Sequence, residues 1–86
     1  MIPNRLKEAR LRANLTQEKL GILAGIEEST ASSRMSHYEK GTHTPTFELA
    51  CEFAKLLDVP ECYFYILKDD FAAEVLDLYL KHKQQK

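Results

Sequence analysis

The sequence predicts an all-α fold, a compact domain of five short helices with a further C-terminal helix. Two observations carry that expectation. Apolar residues recur at spacings of three and four, and residues that start or stop helices stand between the runs. With 86 residues, 44% hydrophobic and 29% charged, and only three Gly and three Pro, the chain has the composition of one small globular unit. Intrinsic disorder and a second independent core are excluded on that ground.

The first helix is expected over residues 3–13, with Pro3 at a helix-start position and Leu6, Ala9 and Ala13 on one side. Asn14 stands where a left-handed cap is wanted, and Leu15 returns to the core. Thr16 then caps a second helix over residues 17–24. That helix is expected to bury Leu20, Leu23 and Ala24 and to stop at Gly25. Gly21 inside it costs about 1 kcal/mol of propensity, a cost that fits a neighbouring helix approaching closely.

The third helix is expected over residues 29–40. On a helical wheel Ala31, Met35 and Tyr38 form an apolar stripe, while Ser32, Ser33, Ser36, His37 and Lys40 lie opposite it. The latter face is donor-rich, free of carboxylates and built of short side chains. Serine is a poor helix-interior choice, so the face reads as shaped for close approach to something, or as a solvated face that is serine-rich by chance. Gly41 ends this helix, Thr42-His43-Thr44-Pro45 form a loop, and Thr46 caps a fourth helix burying Phe47, Ala50, Cys51, Ala54 and Leu57. A short helix over residues 61–67 carries Tyr63, Phe64 and Tyr65. A last one begins at Asp69 or Asp70, with Phe71, Val75, Leu78 and Tyr79 on one side and Ala72, Leu76 and Leu80 adjoining. Residues 81–86 are expected to fray.

Twelve Lys and Arg against thirteen Asp and Glu leave a net charge of −1, so bulk charge supports neither a nucleic acid nor an anionic membrane. The distribution is uneven. Residues 1–46 carry seven basic and five acidic side chains, and residues 47–86 five basic and eight acidic. A polyanion partner therefore requires a local patch in the first half. No apolar run is long enough for a membrane span and the first residues turn polar early, so a cytoplasmic protein is expected. Cys51 and Cys62 lack CxxC spacing and read as structural thiols before a disulfide or metal role. His37, His43 and His82 are scattered, and no spacing assembles a nucleophile, base and orienting group. The expectation is no enzyme, no metal and no cofactor.

The run Leu6-Lys7-x-x-Arg10, Leu15-Thr16-Gln17-x-x-Leu20, Gly25-Ile26, Tyr38-Glu39-Lys40-Gly41, Pro45 and Leu56-Leu57-x-Val59 resembles the phage repressor and Cro-like helix-turn-helix family, often called XRE. The resemblance covers about residues 5–67. It implies a repressor-like DNA-binding domain over residues 1–67; residues 68–86 lie outside the resemblance, and their spare apolar side chains lead us to expect a C-terminal dimerisation element with a polar tail. It also implies double-stranded DNA as partner, read in the major groove by the third helix.

Aligned backward from Tyr38-Glu39-x-Gly41, Ser32, Ser33, Ser36 and His37 match base-facing positions. Thr16 and Gln17 match a phosphate anchor at the start of the second helix, and Lys40, Thr42, His43 and Thr44 match a phosphate flank. Arg10 and Glu39 match a structural salt bridge. From Gly25 to Gly41 the sequence has roughly one helical turn more than the family pattern. That insertion lengthens either the third helix or the turn before it. Arg34 either reaches a flanking phosphate or pairs with Glu27 or Glu28. Those two acids serve a helix N-terminus or accept from cytosine N4.

One reading helix buries too little surface for specificity, so a homodimer is expected through Tyr63, Phe64, Tyr65, Phe71, Val75, Leu78 and Tyr79. The function expected is a transcriptional regulator, a dimeric repressor acting by occupancy. The alternative is a protein-interaction module, such as an antitoxin or antagonist partner that also regulates its own operon.

Overall fold

A computed structural model describes residues 1–84, excepting the side chain of Gln84. Pro3 opens α1 (Pro3–Arg12), whose missing N–H costs nothing at a helix start. Leu6 and Ala9 enter the core, whereas Ala13 lies just past the helix and is exposed. Asn14 takes the left-handed conformation at φ 61°. The Thr16 hydroxyl then accepts from the Lys19 N–H at 3.0 Å, starting α2 (Gln17–Leu23).

Leu20 of α2 is fully buried, but Leu23 is not, in contrast to expectation. α2 is only seven residues long and turns a narrow face inward, and Ile26 in the following turn fills the core instead. Gly21 is where α3 (Glu28–Lys40) comes closest. A Cβ there would stand 3.0 Å from the Ala31 Cβ and 3.2 Å from the Met35 Cγ. The absent side chain at Gly21 is what lets the two helices meet at this distance.

α4 (Phe47–Leu57) starts at Thr46, whose hydroxyl accepts from the Leu49 N–H at 3.1 Å. Its inward face is Ala50, Phe53, Ala54 and Leu57. Phe47, expected inside, is 64% exposed because the first helical position precedes the face that Ala50 and Phe53 define, and Phe53 takes its place in the core. Asp58 ends the helix in the left-handed region at φ 58°. Of the two free thiols, Cys51 on α4 is half-buried and Cys62 is exposed, so Cys62 does not fill the core as a structural thiol would.

The short helix expected over residues 61–67 is a 3₁₀ turn, Glu61–Tyr65, and the chain is extended at Ile66. The shortening frees the carbonyls of Ile66 and Leu67 to accept from the Arg5 guanidinium. Tyr63 and Phe64 are buried in the main core, Phe64 completely, and Tyr63 meets Phe64 edge to face. Both are therefore removed from the surface proposed for dimerisation.

α5 (Asp69–Gln84) continues past the point at which fraying was expected. Acids in its first turn and Lys81, His82 and Lys83 in its last complement the helix dipole. Residues 85–86, also expected to fray, lie outside the described residues. Among the described residues no helix is long and apolar enough to cross a membrane.

Candidate nucleic-acid interface

α2, a tight turn and α3 form a bihelical hook. Gly25 in the turn adopts φ 96°, and the Ile26 N–H donates back to the Gly21 carbonyl at 2.9 Å, which points the Ile26 side chain inward. α3 begins immediately after Glu27, so the extra residues lengthen the helix and leave the turn short. Its thirteen residues span about 20 Å at the usual rise per residue.

Ala31, Met35 and Tyr38 are buried as the apolar stripe requires, and Tyr38 packs edge to face on Phe53. Ser32, Ser33, His37 and Lys40 are exposed on the opposite side, with Ser36 half-buried at its margin. The Ser33 hydroxyl donates to the Thr30 carbonyl at 3.2 Å, and its lone pairs still face outward. Glu27 and Glu28 are exposed at the N-terminal end, where the helix dipole favours acids.

The C-terminal end of α3 is anchored by a buried network. Arg10 Nε and Nη2 donate to the two Glu39 carboxylate oxygens at 2.6 and 3.1 Å, and Arg10 Nη1 donates to the Leu15 carbonyl at 2.8 Å. This is the bridge between the first and third helices that the family resemblance implied. Gln17 joins it: Nε2 donates to Glu39 Oε1 at 3.1 Å. An amide nitrogen carries two hydrogens, so one is used to orient the side chain and the other is available outward.

Arg34 pairs with neither Glu27 nor Glu28. Its guanidinium donates to the Tyr38 hydroxyl at 2.7 Å and lies 5.8 Å above the Tyr38 ring. After α3, Gly41 turns left-handed at φ 80°, and the N–H groups of Thr42 and His43 both donate to the His37 carbonyl. The loop therefore doubles back on the helix end and stacks His43 on His37, ring centroids 4.9 Å apart. Thr42, His43 and Thr44 are exposed beside Lys40, so the outer face of α3 and the loop after it are continuous.

Two residues that sequence reasoning passed over hold the other end of the molecule. Arg5 is fully buried and donates to the Ile66 and Leu67 carbonyls and to Asp69 Oδ1 at 2.8 Å. The signal was available: Arg5 stands four residues before buried Ala9, on the inward side of α1. Asp58 accepts from Lys83 and from the Tyr79 hydroxyl, clasping the far end of α5. The Lys83 hydrogen bond holds the Asp58 carboxyl below its ordinary value, and the same bond raises Lys83. Desolvation pushes the Tyr79 phenol up, as it does Tyr63 in the core. Outside these ties, Tyr65, Leu67, Phe71 and Leu78 are exposed and Val75 and Tyr79 half-buried, leaving an apolar surface on and beside α5.

The family described as "Helix-turn-helix domain" matches residues 4–62. No curated protein sequence matches the chain. Among solved structures, the chain is similar to the transcriptional regulator BswR, with 39% identity and a TM-score of 0.90 over 92% of this chain and 78% of that one. A hook of this geometry, a family match over most of the chain and that likeness agree, and the chain belongs to the helix-turn-helix family.

Proposed function

We propose that this protein is a DNA-binding transcriptional regulator that sets α3 in the major groove, binds as a homodimer and represses by occupancy. The observation that carries the reading is the outer face of α3 from Ser32 to Lys40, polar, free of exposed carboxylates and built of short side chains on a rigidly anchored helix. Short hydroxyls permit close approach and exchange hydrogen bonds with base edges, so Ser32, Ser33, Ser36 and His37 are the base-facing set. Thr16, Gln17, Arg34, Lys40, Thr42, His43 and Thr44 flank it and serve phosphates. Residues 1–67 supply the reading unit, and residues 68–86 supply the dimer contact together with Tyr65.

The decisive experiment is a gel shift with the DNA upstream of the protein's own gene at two salt concentrations. Binding is expected with a modest salt slope, since few cations stand on the reading side. No shift at low salt and high protein concentration rejects the reading. Replacing Ser36 and His37 with Ala is expected to weaken specific binding about 10–100-fold, the worth of one good base contact, with the melting temperature nearly unchanged. Undiminished binding would show that another face is used.

The apolar surface on α5 supports the dimer. Phe71→Asp with Leu78→Asp is expected to give a monomer by sedimentation equilibrium, with its helical content by circular dichroism unchanged. The same surface favours a second reading, a docking site for a different protein in an antitoxin-like pair. A wild-type monomer that copurifies with a partner lost on the same substitutions would select that reading.

A further inference from the structure

His37 closes the exposed face of α3 and His43 opens the loop behind it, and their rings are stacked with centroids 4.9 Å apart and planes at 17°. The stacking is imposed by the backbone, because the left-handed Gly41 returns the loop over the helix end and both loop amides converge on the His37 carbonyl. The pair lines a cleft with Arg34, Tyr38 and Thr44. Among the described residues no carboxylate lines this cleft. Arg34 is held in it by the Tyr38 hydroxyl and ring. The charged groups nearby on α3 are Arg34 and Lys40, both cationic, while Glu39 is turned inward to Arg10 and Gln17. Phe53 of α4 packs edge to face on the Tyr38 ring.

We infer that this cleft is a phosphate-binding site whose affinity is coupled to proton uptake by the His37–His43 pair, so that DNA binding tightens as pH falls. The inference rests on the DNA-binding reading, adds a regulation to it, and places His37 with His43 on a phosphate instead of a base edge. A neutral imidazole presents one donor and one lone pair, and the lone pair repels a phosphate oxygen; an imidazolium presents two donors. Two stacked imidazolium rings beside a guanidinium repel one another, and a phosphate placed among them cancels that repulsion. Anion binding therefore draws protons onto the pair, and linkage requires that protons strengthen anion binding. Arg34 and Thr44 supply donors that do not change with pH near neutrality. A backbone phosphate of DNA and a free dianion share this chemistry.

The test is fluorescence anisotropy at low salt with a duplex taken from the DNA upstream of the protein's own gene. Wild type is expected to bind on the order of tenfold tighter at about pH 6 than at about pH 8, as one or two coupled histidines allow. The H37Q/H43Q double variant is expected to lose that difference, whatever its affinity, and H82Q, at the far end of α5, to keep it. Calorimetry in two buffers of different ionisation enthalpy should show proton uptake on binding in wild type and H82Q only. A pH dependence that persists in H37Q/H43Q overturns the inference and leaves DNA binding standing. No duplex binding at either pH rejects the DNA-binding reading instead. Sulfate, which does not titrate in this range, then decides the cleft: proton-linked sulfate binding lost in H37Q/H43Q identifies a free-anion site, and no such binding overturns the site as well.

Discussion

Two buried arginines of α1 tie two different regions to the core, and they do so unequally. Arg10 meets a carboxylate that is itself buried, that of Glu39, and the pair locks the end of α3 to α1 with Gln17 as a third member. Arg5 meets an exposed carboxylate, Asp69, and spends its other donors on the loop carbonyls that lead into α5. Behind Arg10 the hook is also packed, with Leu20, Ala31 and Met35 completely buried and Gly21 admitting the close approach. Behind Arg5, Ala72 alone among the described residues of α5 is buried to nearly that degree. The hook is fixed by packing and a desolvated ion pair together, whereas α5 is pinned at its two ends by polar clasps. A region that must present side chains to a partner in a set register gains from the first arrangement. A helix that offers an apolar face to another chain can tolerate the second.

The largest effect expected is from breaking the hook's tie. Glu39→Ala leaves Arg10 buried without its counter-ion and should cost about 3–5 kcal/mol of stability, measured by chemical denaturation. A loss below about 1 kcal/mol would place the pair among surface ion pairs and erase the contrast drawn here.

Arg5→Met keeps most of the buried apolar stem but strips the Ile66 and Leu67 carbonyls of their donor. The expected cost is about 1–3 kcal/mol, the penalty for unsatisfied polar groups. Its distribution is more telling than its size. Hydrogen exchange should accelerate along α5 while α2 and α3 stay protected, and uniform acceleration would show that the two regions unfold as one.

The smallest effect belongs to the far clasp. Asp58→Asn retains a residue tolerant of the left-handed backbone and removes the charge that Lys83 meets, so faster exchange is expected in the last turns of α5 alone. The pH dependence follows from the two shifts. Because Asp58 is lowered on folding, its contribution is present above about pH 4 and is lost as pH falls through the lowered value. Because Lys83 is raised, its contribution is full below about pH 10 and is lost as pH rises through the raised value. Protection factors in this segment, corrected for the intrinsic pH dependence of amide exchange, should be flat between those limits in wild type and should lose their acid limb in Asp58→Asn.

Much of this contrast is legible in the sequence. Thr16 and Thr46 cap the helices where their spacing places them, Asn14 and Gly41 take the left-handed positions, and Gly21 marks the close approach of α3. The serine face of α3 follows from the positions of Ala31, Met35 and Tyr38. Apolar character misleads in both directions: Leu23 and Phe47, expected inside, are exposed, and Tyr63 and Phe64, expected at a docking surface, are core residues. Arg5 failed in the other sense, as a charged residue on the inward side whose acceptors are backbone carbonyls some sixty positions away.

Local rules settled this protein's elements because caps, left-handed turn residues and helical periodicity act over a few residues and are written where they act. The sequence by itself determined an all-α chain, the limits of α2 to within a residue, the end of α3, the start of α4, and a donor-rich stripe opposite the buried side of α3. The tertiary structure decided that the extra turn belongs to α3, that Arg34 turns to Tyr38 and that His43 stacks on His37. It also decided which aromatic residues of the second half face inward. Those outcomes depend on which surfaces of distant segments are already occupied, and burial is a property of the packed pair of surfaces, never of one residue's type.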